Sequence, residues 1–448
     1  MKQRIRYALM ALGLSFVVLT ATGCSAGRYL EIAATKLQSP AARYLAEGEL
    51  LAAEGRTTEA ILAYRQSLAH DSQNVTALRK LARAYADQGR ARMAQRYLER
   101  AIALRPADAE LAAEAAALTP PPPRLKLLWQ TVVGEDVPTG IVVQNGVIYT
   151  ALESGLAAAL EADSGAVRWQ RQLPAPAASA PEVGAGLVLV GGQDGVLYAL
   201  DASDGQPVWT FKTPKPIYAA AAVTAESVFC ASSDGVLYAL DRDAGALRWQ
   251  FAAEAPLHGQ PTVADGVVYF GSFDARIYAL EATTGAPHWP HGVLTQGPAE
   301  SQPVVVGGRV FVGSGDSRVY ALATASGGEY WRYSTPDAIH ARPVVVQDTV
   351  FIASAGHILA ALDLLSGEPR WELTAGSALS YSPAVAGKTL YYVAAGDPRL
   401  YAVDATSGQP LWQMDTRDWP AAGPVIADGV LYLAGKDGMI TAYETTGE

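Results

Sequence analysis

Six histidines and two cysteines are the residues of this 448-residue sequence with the widest reach in metal and nucleophilic chemistry, and their spacing supports little of it. His288 and His291 lie close together in HWPH, but two imidazoles without a close third partner fall short of the ligand set that zinc needs. His70, His258, His340 and His357 are isolated and stand in no triad spacing with a nucleophile. Cys230 sits in the apolar segment SVFCASS and reads as a small buried side chain. No phosphate-binding Gly-Lys loop, dinucleotide glycine fingerprint or paired zinc cysteines occurs. No catalytic, metal or cofactor residue is therefore expected.

Cys24 has a different setting. Lys2, Arg4 and Arg6 precede the apolar run from Tyr7 to Leu19, which is the order of an export signal and is short for a permanent membrane span. Ala21, Thr22 and Gly23 before Cys24 resemble the bacterial lipobox, with Ala21 where Leu is commoner. That resemblance implies cleavage after residue 23 and acylation of the Cys24 thiol. Each buried methylene then contributes about 0.8 kcal/mol of membrane attachment, and more than one chain is needed for a firm anchor. Ser25 in place of Asp implies the outer membrane of a diderm bacterium, on its periplasmic face. Residues 24–40 read as a tether and leading helix.

Two adjacent 34-residue units follow, 41–74 and 75–108. The second places Leu78, Leu81, Ala82, Tyr85, Ala94, Leu98, Ala101 and Pro106 as the tetratricopeptide repeat does, and the first places Tyr44, Gly48, Leu51, Ala60, Tyr64 and Ser67 equivalently. Small residues let two antiparallel helices approach, and large apolar ones fill the space between them. Residues 107–118 read as a capping helix, so 41–118 forms a short all-α solenoid. Arg79, Lys80, Arg83, Arg90, Arg92, Arg96, Arg100 and Arg105 give it a basic face, read as a solvated face or as a dock for an acidic protein surface.

The run TPPPP within 119–124 cannot sustain helical hydrogen bonding and reads as a stiff linker. Charge changes across it. Residues 24–118 hold 13 basic and 11 acidic residues, whereas 119–448 hold 18 basic and 33 acidic. The whole chain carries −10, which argues against a surface that grips nucleic acid.

Beyond the linker, tryptophans recur at Trp129, Trp169, Trp209, Trp249, Trp289, Trp331, Trp371 and Trp412, at spacings of 40 to 42 residues. Each interval holds short alternating apolar runs separated by Asp-Gly or Ser-Gly turns, the pattern of four antiparallel strands. A 40-residue unit of this kind is a propeller blade. The most regular element is A-x-D/E-x-x-x-G-x-x-x-W, as in Ala199, Asp201, Gly205 and Trp209; Ala323 replaces the acid in the fifth copy. Because a catalytic group is normally unique, the repeated acids and tryptophans are assigned to architecture. The expected fold over 125–448 is an all-β eight-bladed propeller of the tryptophan-docking type. The strand around Trp129 supplies the missing outer strand of the last blade, which removes free sheet edges. Trp419 lies outside the series.

These tryptophan-docking repeats resemble those of the quinoprotein-type propellers. Together with the lipobox they resemble the family of outer-membrane protein assembly lipoproteins of the BamB type, over Met1 to Cys24 and Leu125 to Glu448. The resemblance implies a non-enzymatic periplasmic scaffold bound to the outer-membrane β-barrel assembly machinery, anchored through lipid on Cys24. The tetratricopeptide insert departs from that pattern and leaves open another envelope protein complex as partner. A second alternative is a dehydrogenase holding pyrroloquinoline quinone, but such enzymes usually carry adjacent cysteines and unique acids for calcium, which this sequence lacks.

Overall fold

A computed structural model of the chain describes residues 39–88, 91–106, 108–118, 125–135, 137–416 and 418–445. The signal, Cys24, most of the tether and the linker lie outside the described residues. The chain separates into two compact units, divided between Pro122 and Pro123.

The N-terminal unit is all-α. Helices α1 (Pro40–Ala53) and α2 (Thr57–His70) form one antiparallel pair, α3 (Val75–Asp87) and α4 (Ala91–Leu104) a second, and α5 (Ala109–Leu118) packs on α4. Local chemistry fixes the starts. The Ser39 hydroxyl accepts from the Ala42 N–H at 3.3 Å with Pro40 in the first turn, and the Asn74 side chain accepts from the Ala77 N–H at 3.0 Å. Ala60, Leu78, Leu81, Ala82, Ala94, Ala101 and Leu111 are wholly buried in one core. Gly48 is needed because a Cβ there would lie 2.4 Å from the Tyr64 ring. The basic face is partly spent inside the unit. Arg79 pairs with Glu114 at 2.7 Å and with Glu110 at 2.9 Å, and Lys80 pairs with Glu49 at 3.0 Å. No described helix is long and apolar enough to cross a membrane.

The C-terminal unit is the expected eight-bladed propeller: its described strands form eight four-stranded antiparallel sheets. Blades 1 to 7 occupy 138–172, 182–212, 222–252, 262–294, 304–334, 344–374 and 384–415. Within each, the second and third strands are apolar on both faces because a neighbouring blade covers each face; strands Val188–Val190 and Leu197–Leu200 are almost fully buried. First strands of successive blades adjoin from blade 1 to blade 6, and from blade 7 through blade 8 back to blade 1. Tight hairpins such as Asn145–Gly146, with φ of 51° and 73°, join the first and second strands.

Blade 8 is a composite. Strands Val425–Ala427, Val430–Ala434 and Met439–Thr445 are completed by Leu125–Val132 from the start of the unit, in a register running from Leu125 opposite Thr445 to Val132 opposite Met439. A bulge between Leu127 and Trp129 turns the Trp129 ring toward blade 1, where it packs in the shared core with Ile148 and Leu160.

Blade 4 departs from the pattern. Its outer strand is reduced to Val293–Leu294, and only a single bridge, Leu280 to Pro287, marks where the strand would begin. Pro287 and Pro290 lack the N–H groups that a full outer strand would donate.

Candidate functional site

The repeated tryptophans occupy equivalent places at the blade seams. Seven of the eight indole N–H groups donate to a backbone carbonyl of the following blade: Trp129 to Ala162 at 3.0 Å, Trp169 to Ala202 at 3.0 Å, Trp209 to Arg242 at 2.7 Å and Trp249 to Ala282 at 3.0 Å. Trp289, Trp331 and Trp371 repeat this with Thr324, Leu364 and Ala405, at 2.8 to 3.1 Å. Trp412 stands 5.9 Å from Tyr391 in its own blade. The motif glycine of the next blade lies under each of the seven donating rings. A Cβ on Gly205 would come within 2.6 Å of Trp169, and one on Gly245 within 2.6 Å of Trp209. Only glycine fits there, because the position also has φ near +70°.

The motif acids hold their own turns, the outer segment, or both. Asp201, Asp241, Asp363 and Asp404 accept from N–H groups two or three residues ahead, closing the turn. Where the residue seven positions on is basic, the acid holds the outer segment: Glu161 holds Arg168 at 2.5 Å, Asp241 holds Arg248 at 2.7 Å, Glu281 holds His288 Nδ1 at 2.7 Å and Asp363 holds Arg370 at 2.7 Å.

Two further regularities accompany the motif. An aromatic residue on the second strand faces the tryptophan in most blades, as with Tyr149 and Trp169 at 6.2 Å or Phe311 and Trp331 at 5.7 Å. In five blades a tyrosine hydroxyl donates to the aspartate four residues before it, as in Tyr198 to Asp194 and Tyr238 to Asp234, both 2.8 Å. Burial and the neighbouring carboxylate together push these phenols above their ordinary range.

Cys230 is completely buried in the second strand of blade 3, and burial pushes its thiol far up. Its surroundings are those of a core residue. His288 is tied to Glu281, and among the described residues no group of three His, Cys, Asp or Glu side chains is placed to hold a metal ion.

The departures from repetition gather where each outer strand leads into the next first strand. Tyr218, His258, Glu300 and His340 occupy the same loop position on blades 3, 4, 5 and 6. His258 Nε2 lies 3.1 Å from the Ser233 hydroxyl, and its ring is held edge-on between Phe273 at 4.6 Å and Tyr218 at 5.3 Å. His340 Nδ1 lies 3.4 Å from Glu300. The Glu300 carboxylate raises the His340 pKa above its ordinary value, whereas burial lowers that of His258. Closer to the axis, Gln260 Nε2 donates to Glu182 at 2.9 Å and to the Ala221 carbonyl at 3.1 Å, reaching over the alanines of blade 3. Tyr218 is about half exposed. Sequence reasoning found the histidines singly and missed the arc, whose only signal was the failure of these positions to repeat.

Comparison with known proteins agrees with this architecture. A family model described as outer membrane protein assembly factor BamB matches residues 126–228, 216–298, 274–391 and 357–448. A tetratricopeptide repeat model matches 51–118. The crystal structure of BamB from Moraxella catarrhalis is similar with a TM-score of 0.64 at 21% identity, covering 71% of this chain and 97% of that one. A computationally designed protein, Ika8, gives a TM-score of 0.64 at 15% identity, covering 71% of this chain and 99% of its own. No curated protein sequence matches the chain. The family model spans well over half of the chain, and the chain belongs to the outer membrane protein assembly factor BamB family.

Proposed function

We propose that this protein is a non-enzymatic envelope scaffold that binds the outer-membrane β-barrel assembly machinery and helps to position barrel precursors for insertion. The observation that carries the reading is family membership across the propeller. The lipobox residues before Cys24 support attachment to the periplasmic face of the outer membrane through lipid on that thiol. The repeated motif residues are consumed in holding blades together, which leaves the non-repeating arc of Tyr218, His258, Glu300 and His340 as a surface able to discriminate a partner. The mechanism is positioning, with no covalent step.

The helical unit favours a second reading, a different envelope complex using the same propeller as a platform. Its cleft of about 210 Å³, walled by Val75, Arg79, Arg83, Arg105 and Leu111, is a second potential docking surface. Affinity capture of the full chain from crosslinked envelopes separates the two. Recovery of the barrel-assembly machinery supports the first reading; its failure to appear, with reproducible recovery of another complex, overturns it. Calcium-dependent binding of pyrroloquinoline quinone with dye reduction would instead make the protein a dehydrogenase.

A further inference from the structure

The cleft of about 210 Å³ in the helical unit is walled mainly by positive charge. Along one side α3 brings Arg79, Lys80 and Arg83 onto it, and Arg105 reaches it from just past the end of α4. Because α4 runs antiparallel to α3, with Arg100 Nη2 donating to the Ser72 carbonyl at 3.0 Å, Arg105 stands at the end where α3 begins. Arg83 is eight residues along α3 from Val75, so at the helical rise the cations spread over about 12 Å. The one acid of these walls, Asp108, is committed to capping α5. Its Oδ1 accepts from the Glu110 N–H at 3.1 Å and from the Leu111 N–H at 3.2 Å.

Acids outside the cleft answer these cations only in part. Glu114 on α5 serves two guanidiniums at once, that of Arg79 at 2.7 Å and that of Arg83. Arg79 also takes Glu110 at 2.9 Å, and Lys80 takes Glu49 at 3.0 Å. Among the described residues, Arg83 therefore shares its carboxylate, and the Arg105 side chain has no hydrogen bond, ion pair or ring contact. The chain itself shows what these groups take. Glu110 and Glu114 stand one turn apart on α5 and meet arginines on α3. Arg79, and after it Arg83, hold the Glu114 carboxylate below its usual range although burial works the other way.

We propose that the cleft binds an extended acidic segment of a partner protein, with one carboxylate on Arg105 and a second on Arg83. Acids four residues apart in an extended segment fall on one face about 13 Å apart, which matches the spread of the cations and exceeds the span of a single small anion. A guanidinium pairs a carboxylate through two parallel hydrogen bonds, and the exposed Thr76 hydroxyl between the two ends can donate to a backbone carbonyl of the segment. The ligand of the cleft is independent of which envelope complex the propeller serves.

The test is calorimetric titration of the purified mature chain at low salt with four probes. These are acetyl-Glu-Ser-Ala-Ser-Glu-amide, its counterpart with Gln for both Glu, acetyl-Glu-Glu-Ser-Ala-Ser-amide with the acids adjacent, and inorganic phosphate. The spaced acidic peptide is expected to bind about tenfold more tightly than the Gln peptide, and about threefold more tightly than the adjacent-acid peptide or phosphate. Arg83→Gln and Arg105→Gln are each expected to weaken it about threefold and together about tenfold, whereas Arg105→Lys keeps most of the affinity. Lys388→Gln removes an exposed cation from the propeller and should change nothing. A thermal melt of each variant separates loss of the cleft from loss of the fold. Equal binding of the acidic and Gln peptides, tightest binding of phosphate, no binding of any probe, or full affinity in the folded double variant overturns the assignment.

Discussion

Gly205 lies directly beneath the Trp169 indole, so close that a Cβ at that position would stand 2.6 Å from the ring. The two residues belong to adjacent blades, and the same relation recurs between Gly245 and Trp209 and between Gly367 and Trp331. One blade's turn is therefore shaped by the previous blade's outer strand, which makes the ring cooperative between neighbours.

The seam predicts a difference between two glycines with the same backbone strain. Gly205 and Gly146 have φ of 71° and 73°, but nothing lies within 4 Å of a Cβ at Gly146. Gly146→Ala is expected to cost about 1 kcal/mol from the left-handed backbone alone. Gly205→Ala adds displacement of the indole and is expected to cost about 2 kcal/mol more, in the range of overpacked cores. Equilibrium denaturation with guanidinium measures the gap, and equal costs would mean that the seam relaxes freely.

Closure predicts a localised response to Trp129→Ala. Trp129 donates to the Ala162 carbonyl and packs 6.1 Å from Tyr432, so it ties the composite blade both to blade 1 and to its own second strand. Its loss is expected to cost about 3 kcal/mol. Hydrogen exchange should quicken in 125–132 and 439–445 while blades 3 to 5 remain protected. Uniform acceleration around the ring would contradict this picture of the closure.

Two histidines of the arc are expected to titrate in opposite directions from 6.5. The Glu300 carboxylate holds His340 above that value. Its contribution to stability is complete below pH 6.5 and is lost as pH rises through the folded pKa. Burial holds His258 below 6.5, so its contribution is present above pH 6.5 and is lost as pH falls through its folded pKa. An NMR titration of the imidazole C2 protons reads both, and Glu300→Gln should bring His340 down. Coincident titration of the two rings would refute the arrangement.

Cys230 is expected to resist thiol reagents in the native protein, because the group is fully buried and its thiolate is strongly disfavoured. Labelling with a chromogenic disulfide in the native state should miss Cys230, and adding guanidinium should expose it. Rapid native labelling would show that blade 3 opens far more readily than its core suggests.

The ring was legible in the sequence because its signal is a period. Eight tryptophans at near-constant spacing announce blades, and the surplus strand at Trp129 together with the absent last outer strand announces the closure. The stretched interval from Trp289 to Trp331 was equally visible, but the loss of most of blade 4's outer strand became clear only with the pairing around Pro287 and Pro290. The motif acids were legible as a group and not individually: Asp201 closes its turn with Val208 seven residues on, whereas Glu161 and Asp241 also hold the arginines at that spacing, Arg168 and Arg248. Arg79 illustrates a further limit in the helical unit, where a residue of the basic face is paired with acids from a helix further along the chain.

The scaffold reading is tested most directly by mixing the purified mature chain with the purified barrel-assembly machinery of its own organism and passing the mixture through gel filtration. The expected result is a stoichiometric complex that co-elutes and that survives Trp419→Ala, a substitution outside the repeated seams. Separate elution of the two at micromolar concentration would contradict the proposed function.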